Sequence, residues 1–160
     1  TIVANQILSA TTSATSGYGS RGITVGTGSA SSNITIANNF VSGVNGSNYS
    51  SFSNSSSAGI WIGVIGNSST LTTTTGGVSI FYNTVNMYGS MGTFSTSAIT
   101  AAMYVGSGAS ALDIRNNIFV NTMTGTSTTQ KNYGIYSAAS SAAFSTMNFN
   151  NYYVAIWKFS

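Results

Sequence analysis

The sequence predicts an all-β fold, a parallel β-helix in which each coil has three short strands. Segments of four or five residues alternate apolar and polar side chains, which is typical of strands and not of helices. β-Branched and aromatic residues dominate these segments, and Gly, Ser and Asn bound them. Similar segments recur along the whole chain of 160 residues, which indicates a repeat architecture.

Two families of segments alternate along the chain. In the first family, a strand leads into one or two Asn residues and then a second apolar step. Its copies are Ile34–Val41, Val78–Val85 and Leu112–Phe119, with partial copies at Val3–Leu8 and Met147–Tyr153. The second family supplies a third strand, and its copies are Gly22–Gly26, Gly59–Gly63, Ala102–Gly106 and Gly134–Ser137. Equivalent strands of successive coils are expected to stack in parallel about 4.8 Å apart.

A column of amide side chains marks the turn after the first strand of each coil. Its predicted members are Gln6, Asn39, Asn83, Asn117 and Asn151, which are separated by 33, 44, 34 and 34 residues. Asn tolerates a left-handed backbone, and its amide can bond the Asn above and the Asn below. On these residues the chain resembles right-handed parallel β-helix proteins, in which stacked Asn residues form a ladder at a tight turn. The resemblance covers nearly the whole chain and implies four to five coils.

A second resemblance concerns short phrases. The stretches at 114–122 (IRNNIFVNT) and 134–137 (GIYS) are similar to repeats of very large secreted surface adhesins of gliding bacteria. This likeness implies an extracellular or cell-surface location.

A β-propeller is the rival fold, because its blades also contain about 40 residues. Propeller blades need four antiparallel strands and hairpins, so the solenoid is favoured.

The alternation also predicts the core. On the first strand the inward columns are Ile34, Val78, Leu112 and Met147, with Ile36, Ile80, Ile114 and Phe149 beside them. On the third strand they are Ile23, Ile60, Met103 and Ile135, with Val25, Ile62, Val105 and Ser137.

The composition excludes most catalysis. The charged residues are Arg21, Arg115, Lys131, Lys158 and Asp113, and the chain has no His, Cys or Glu. One Asp cannot form a carboxylate pair, and no His is present to activate a Ser. Ligands for zinc or calcium are missing as well. We therefore expect no enzyme, no metal and no cofactor.

The same composition limits the partners. Four scattered cations do not form the basic footprint of a nucleic-acid-binding protein. No apolar stretch approaches the roughly 20 residues of a transmembrane helix, so membrane insertion is not expected.

The third strands predict a candidate binding surface. Their outward column consists of Thr24, Trp61, Tyr104 and Tyr136. Aromatic rings give an apolar platform with polar edges, which suits sugar rings or a protein partner. In the resembling family, sugar-binding grooves often lie on this face. The alternative is a stack across coils that only stabilises the sheet.

Two further groups suggest other activities. Asp113 and Arg115 share a strand face, and Phe81 lies one coil away. The pectate-lyase members of the resembling family use clustered Asp residues and an Arg base, but only this one Asp–Arg pair matches them. A local ion pair with a cation–π contact is therefore expected.

The Thr run at Leu71–Thr75 raises an ice-binding hypothesis. Ice binding needs a regular Thr array, and the run is expected instead in a long loop.

The sequence thus favours a non-enzymatic structural or adhesive solenoid on the cell surface or outside the cell. Residues 1–160 are predicted to be one segment of a longer array, because the apolar stretch at 152–157 lacks the polar cap of a solenoid end. Expected partners are further repeats, or other chains, at the open ends, and glycans. Contacts are assigned to the loops 43–58, 64–77 and 88–100 and to the aromatic column. The alternative function is a carbohydrate-binding β-helix, with ice binding less favoured.

Overall fold

Short parallel strands form three sheets around an apolar core in the computed structural model, which describes residues 1–11, 19–45, 57–63, 74–90, 99–125 and 131–155. The strands in these ranges are β1 Ile2–Val3, β2 Gln6–Leu8, β3 Arg21–Val25, β4 Ile34–Ala37, β5 Phe40–Ser42, β6 Ala58–Ile62, β7 Thr75–Phe81, β8 Thr84–Met87, β9 Ile99–Val105, β10 Ala109–Arg115, β11 Ile118–Asn121, β12 Lys131–Ser137, β13 Phe144–Asn148 and β14 Asn151–Val154. A short 3₁₀ turn, Ser141–Ala143, precedes β13.

The strand order confirms the predicted parallel β-solenoid. Sheet I contains β1, β4, β7, β10 and β13, sheet II contains β2, β5, β8, β11 and β14, and sheet III contains β3, β6, β9 and β12. Every strand pairing within these sheets is parallel. Each coil therefore adds one strand to each sheet in turn, which gives two sheets of five strands and one of four.

The predicted inward columns form the core in the coils before the last one. Ile36, Ile80 and Ile114 of sheet I are fully buried and lie in register across β4, β7 and β10. On sheet III, Ile60 and Met103 are equally buried and paired. Sheet II adds a column that sequence patterning did not specify, with Ile7, Val41, Val85, Phe119 and Tyr152 in register. Val41, Val85 and Phe119 of this column are fully buried, and burial of one such side chain contributes roughly 1.5–3 kcal/mol.

The last coil departs from the predicted alignment. Leu112 pairs with Phe144, but Asp113 pairs with Thr146, so β13 has one additional residue at this point. Met147 consequently lies opposite Ile114, and Phe149 does not enter the core. The core predictions for the last coil were wrong: Phe149 is 81% exposed in the following turn, Met147 is 46% exposed, and Ser137 at the end of β12 is exposed as well. The bulge could not be seen in the sequence, since both alignments preserve an apolar–polar alternation.

Close packing of sheets II and III explains why the second family of segments begins with a small residue. A Cβ atom on Gly59 would collide with the Val85 side chain and lie 2.6 Å from the carbonyl oxygen of Ala102. The next Gly of this kind, Gly134, has the ring of Tyr152 at 3.1 Å from the same position. A larger side chain would have to separate the sheets.

Residues with a left-handed backbone conformation form a column where the chain enters sheet I. Asn33, Gly77 and Ala111 have φ angles of 51°, 67° and 49° and directly precede three residues that lie in register, Ile34, Val78 and Leu112. β7 and β10 therefore bend within their length. Residue 77 was assigned to a loop from the sequence, but β7 begins at Thr75, which is fully buried. Residues 71–73 lie outside the described part of the chain.

A buried polar network joins sheets II and III. The Asn121 amide donates to the Thr100 hydroxyl at 2.9 Å, and that hydroxyl donates to Asn132 at 3.0 Å. Asn132 in turn donates to the carbonyl oxygens of Met123 at 2.7 Å and Ala155 at 3.2 Å. Asn121 and Thr100 are fully buried, so these bonds replace the water that the groups lose on folding.

Two Phe residues test whether the strand faces are assigned correctly. Phe119 of β11 is fully buried, whereas Phe40 of β5 is 39% exposed. We expect Phe119→Ala to lower the free energy of unfolding by about 3–5 kcal/mol, because a cavity remains in the core. Phe40→Ala should change it by less than about 1 kcal/mol. Urea unfolding at a few micromolar chain checks both, and equal losses would contradict the inward and outward assignment.

Candidate functional site

Stacked Asn side chains occupy the corner between sheets I and II. The Nδ2 atoms of Asn5, Asn39, Asn83 and Asn117 each donate to the Oδ1 atom of the ladder residue in the next coil, at 2.9–3.0 Å. The backbone N–H groups of the same four residues donate to the same oxygens at 2.9–3.1 Å. The predicted Asn ladder is therefore present, and each of these eight bonds has its donor in one coil and its acceptor amide in the following one.

The bonding capacity of the inner amides is fully used. The second proton of Asn83 Nδ2 goes to the Ile36 carbonyl oxygen of the preceding coil at 2.9 Å. Its Oδ1 accepts two bonds from Asn39, and the Asn83 side chain is almost fully buried. A saturated amide can lie in the interior without the desolvation penalty of an unpaired polar group. The ladder is therefore a structural element of the corner.

The ends of the ladder differ from the sequence prediction. Asn5, not Gln6, bonds Asn39, because Ile2 lies opposite Ile36 in the first coil. At the other end Asn150, not Asn151, bonds Asn117. The bulge in β13 shifts the alignment by one residue, so Asn151 begins β14 opposite Ile118 and is exposed.

The left-handed backbone belongs to the residue before each ladder position. These residues are Ala4, Asn38, Tyr82, Asn116 and Phe149, with φ angles of 57°, 56°, 55°, 58° and 54°. The expectation that the ladder Asn itself is left-handed was wrong. A left-handed residue other than Gly costs roughly 1–2 kcal/mol, and the ladder bonds hold this conformation in each coil.

The predicted aromatic column on sheet III is present. Thr24, Trp61, Tyr104 and Tyr136 lie in register on adjacent strands. The ring centroids of Trp61 and Tyr104 are 3.9 Å apart, and those of Tyr104 and Tyr136 are 5.9 Å apart with nearly parallel planes. Tyr133 meets Tyr136 edge-on at 5.1 Å. The rings of adjacent coils therefore stack on one another, which is the alternative that the sequence analysis gave to a binding platform.

Arg21 makes Trp61 unsuitable as a free platform. Its guanidinium carbon lies 4.1 Å above the Trp61 ring centroid, while Tyr104 stacks from the strand on the other side. Trp61 is only 2% exposed, and its indole N–H has no hydrogen-bond partner in the described part of the protein. The Arg21 contact could not be predicted from strand register, because Arg21 lies opposite Ala58 and reaches the Trp61 ring through the length of its side chain.

The partly exposed rings are those of Tyr104 and Tyr136. Burial raises the pKa of Tyr104, the neighbouring Tyr136 raises it further, and Arg21 opposes these effects. Burial also lowers the pKa of Arg21 from its usual value, with an opposing effect of Tyr104. Tyr104 is therefore a neutral phenol at physiological pH, able to donate and to accept hydrogen bonds.

The predicted pair of Asp113 and Arg115 forms a two-pronged ion pair on sheet I. Arg115 Nε and Nη2 each donate to one carboxylate oxygen at 2.7 Å. The guanidinium carbon lies 4.9 Å from the Phe81 ring centroid, which confirms the cation–π contact. The bond to Asp113 raises the pKa of Arg115. Because Arg115 already occupies both carboxylate oxygens, this arrangement is that of a local ion pair.

Other sequence predictions lie largely or wholly outside the described residues. The loops 43–58, 64–77 and 88–100 are described only at their ends, and residues 156 and 157 of the apolar C-terminal stretch are not described. Outward columns on the described strands mix Thr with other residues. One of them contains Thr35, Ser79, Asp113 and Thr146, which is not the regular Thr array that ice binding needs.

No protein-family model, no curated protein and no solved structure matches this chain. Within the described ranges, the side chains include no cluster of three or more metal-ligating residues. No helix in those ranges is long and apolar enough to cross a membrane.

Two neighbouring Asn residues distinguish the observed ladder from the alignment that the sequence suggested. Asn150→Ala removes the acceptor of two bonds from Asn117, and we expect a loss of about 1–3 kcal/mol in unfolding free energy. Asn151→Ala removes an exposed side chain and should change stability by less than about 0.5 kcal/mol. Thermal and urea unfolding of both variants check this, and the reverse order would place the ladder at Asn151.

Proposed function

We propose that this chain is a structural segment of a larger extracellular or cell-surface protein, with an adhesive or spacing role and no catalytic activity. The observation that supports the proposal best is the stack itself. Its coils are joined by backbone bonds and by neutral amides, and strands at both edges have partners on one side only among the described residues. Such edges pair readily with further strands, so further coils, or other chains, are the proposed partners.

The chemistry of the side chains agrees with a role without catalysis. General acid–base work needs a group that can exchange protons near neutral pH. The single carboxylate, Asp113, is held by Arg115 at 2.7 Å, and the sequence contains no His, Cys or Glu. Low charge also suits a stacked array, in which equivalent side chains of adjacent strands are close enough for like charges to repel.

A second candidate function is binding of carbohydrate by sheet III. It is favoured by the two partly exposed, parallel rings of Tyr104 and Tyr136, whose planes differ by 6°. Trp61 would then support these rings from below and would not contact the ligand, since both of its faces are covered.

Removal of a whole coil tests the structural role. Deletion of residues 84–117 joins Asn83 to Ile118 and removes one period of 34 residues. Asn83 then precedes β11 as it now precedes β8, so we expect retained β-structure, cooperative unfolding and a particle shorter by about 4.8 Å. Deletion of residues 84–100, about half a coil, should abolish the cooperative transition. Circular dichroism and small-angle scattering measure both, and equal damage by the two deletions would contradict a solenoid that functions through coil number.

A glycan array separates the two candidate functions. The structural role predicts no glycan binding above background for the wild-type chain at micromolar concentration. The second candidate predicts binding that falls at least about tenfold in the Tyr104→Ala/Tyr136→Ala variant, since aromatic platforms supply much of the contact with a sugar ring. Thr35→Ala, on the outer face of sheet I, serves as the control. Turnover of any polysaccharide by the purified chain would overturn the proposal that it is not an enzyme.

A further inference from the structure

The phenol rings of Tyr104 and Tyr136 come from neighbouring coils and lie side by side on sheet III. The two residues are directly paired across β9 and β12, their ring centroids are 5.9 Å apart, and their ring planes differ by 6°. Paired side chains on parallel strands leave the sheet in the same direction. The hydroxyl end of one ring is therefore the neighbour of the hydroxyl end of the other.

These two rings are also the accessible part of the aromatic column. Tyr104 and Tyr136 are partly exposed, whereas Trp61 is almost fully buried. Trp61 nevertheless stays in contact with the pair, because its ring stacks on that of Tyr104 with 3.9 Å between the centroids. An oxidant in solution therefore meets the two tyrosines before it meets the indole ring.

The surroundings of Trp61 disfavour loss of an electron from its ring. The guanidinium carbon of Arg21 lies 4.1 Å from the ring centroid, and an Arg side chain stays positively charged at all physiological pH values. An oxidised indole would place a second positive charge beside the first, which Coulomb repulsion opposes. The indole N–H has no acceptor in the described part of the protein to which it could pass a proton.

The tyrosines do not carry this penalty. Burial raises the pKa of Tyr104, so its ring starts as the neutral phenol. A phenol that loses an electron releases its proton as well, and the phenoxyl radical that remains is uncharged. Oxidising equivalents in the column are therefore expected on Tyr104 and Tyr136 and not on Trp61.

We propose that Tyr104 and Tyr136 are a site of oxidative cross-linking, at which a one-electron oxidant such as a haem peroxidase with hydrogen peroxide joins the two rings as dityrosine. Each phenol loses one electron and one proton, and the two radicals form a carbon–carbon bond between the ring positions next to the hydroxyls. The hydrogen on each bonded carbon then moves to the oxygen, which restores both phenols. One hydrogen peroxide accepts the two electrons and two protons and becomes two water molecules.

The cross-link would add a covalent bond between two successive coils. These coils are already joined by the backbone pairing of β9 and β12 and by the ladder bond from Asn83 to Asn117. A cross-link stabilises a fold mainly by restricting the unfolded chain. The inference concerns two rings of the isolated chain, so it does not depend on the proposed structural role.

A rival coupling within one strand serves as an internal comparison. Tyr133 meets Tyr136 edge-on, with ring centroids 5.1 Å apart and planes at 73°. Radical coupling joins orbitals that stand perpendicular to each ring, so it needs these orbitals to point at each other. The parallel rings of Tyr104 and Tyr136 meet this condition, whereas the edge-on pair does not.

Trypsin distinguishes the two couplings, because the chain has few Arg and Lys residues. Cleavage after them places Tyr104 in the peptide 22–115 and both Tyr133 and Tyr136 in the peptide 132–158. A link between Tyr104 and Tyr136 therefore joins two peptides. A link between Tyr133 and Tyr136 stays within one.

Oxidation of the purified chain at low micromolar concentration tests the proposal. The oxidants are a haem peroxidase with hydrogen peroxide and, separately, a small photochemical one-electron oxidant that needs no access by a second protein. We expect a monomeric product with dityrosine fluorescence, whose denatured digest contains the two peptides joined. Tyr104→Phe should reduce the joined peptide to background, whereas Tyr82→Phe, which alters an exposed ring outside the column, should leave its yield unchanged. Absence of the joined peptide with both oxidants, or an equal yield from Tyr104→Phe, would overturn the proposal.

Urea unfolding of the oxidised monomer gives a second readout. The cross-linked wild type should unfold at a higher urea concentration than the untreated chain, because the link restricts its unfolded state. Oxidised Tyr104→Phe should keep the midpoint of its untreated form. An unchanged or lowered midpoint for the cross-linked wild type would contradict coupling of the two rings in their folded arrangement.

Discussion

The hydrogen bond from each ladder amide to the next is the interaction on which the regularity of this solenoid depends. It fixes the corner between sheets I and II at the same height in every coil, because the acceptor oxygen of one Asn receives both the backbone and the side-chain N–H of the Asn before it. The neighbouring left-handed residue can then vary from Ala to Phe, since its side chain points away from the core. Backbone pairing in all three sheets follows from this common height.

The low charge of the chain is a consequence of the stacking of its coils. A side chain in a parallel stack has an equivalent above it and another below it, so the properties of one position are repeated along the column. Ile36, Ile80 and Ile114 show the benefit for the core. Arg115 shows the exception on the surface, where a charge is accommodated by Asp113 on its own strand and by Phe81 of the coil below.

Most of the fold could be predicted from the sequence, because alternation and period are local properties that survive without knowledge of contacts. The parallel sheets, the inward columns of sheets I and III before the last coil, and the middle three ladder residues were all predicted in this way. The shift to Asn150 could not be predicted, since one additional residue in β13 is compatible with the same alternation. Residue type and spacing likewise placed Trp61 in the aromatic column, but its burial depends on Arg21, which lies three positions earlier on the neighbouring strand. A long side chain that reaches across register leaves no periodic signal.

The ladder step from Asn39 to Asn83 spans 44 residues, whereas the step from Asn83 to Asn117 spans 34, yet the two amide bonds measure 2.9 and 3.0 Å. A coil is therefore counted by its hydrogen bonds and not by its length. Additional residues can be accepted between two strands without any change at the corner. In evolutionary terms, the connecting segments of such a solenoid are free to lengthen, shorten and change in sequence while the frame that presents them stays the same.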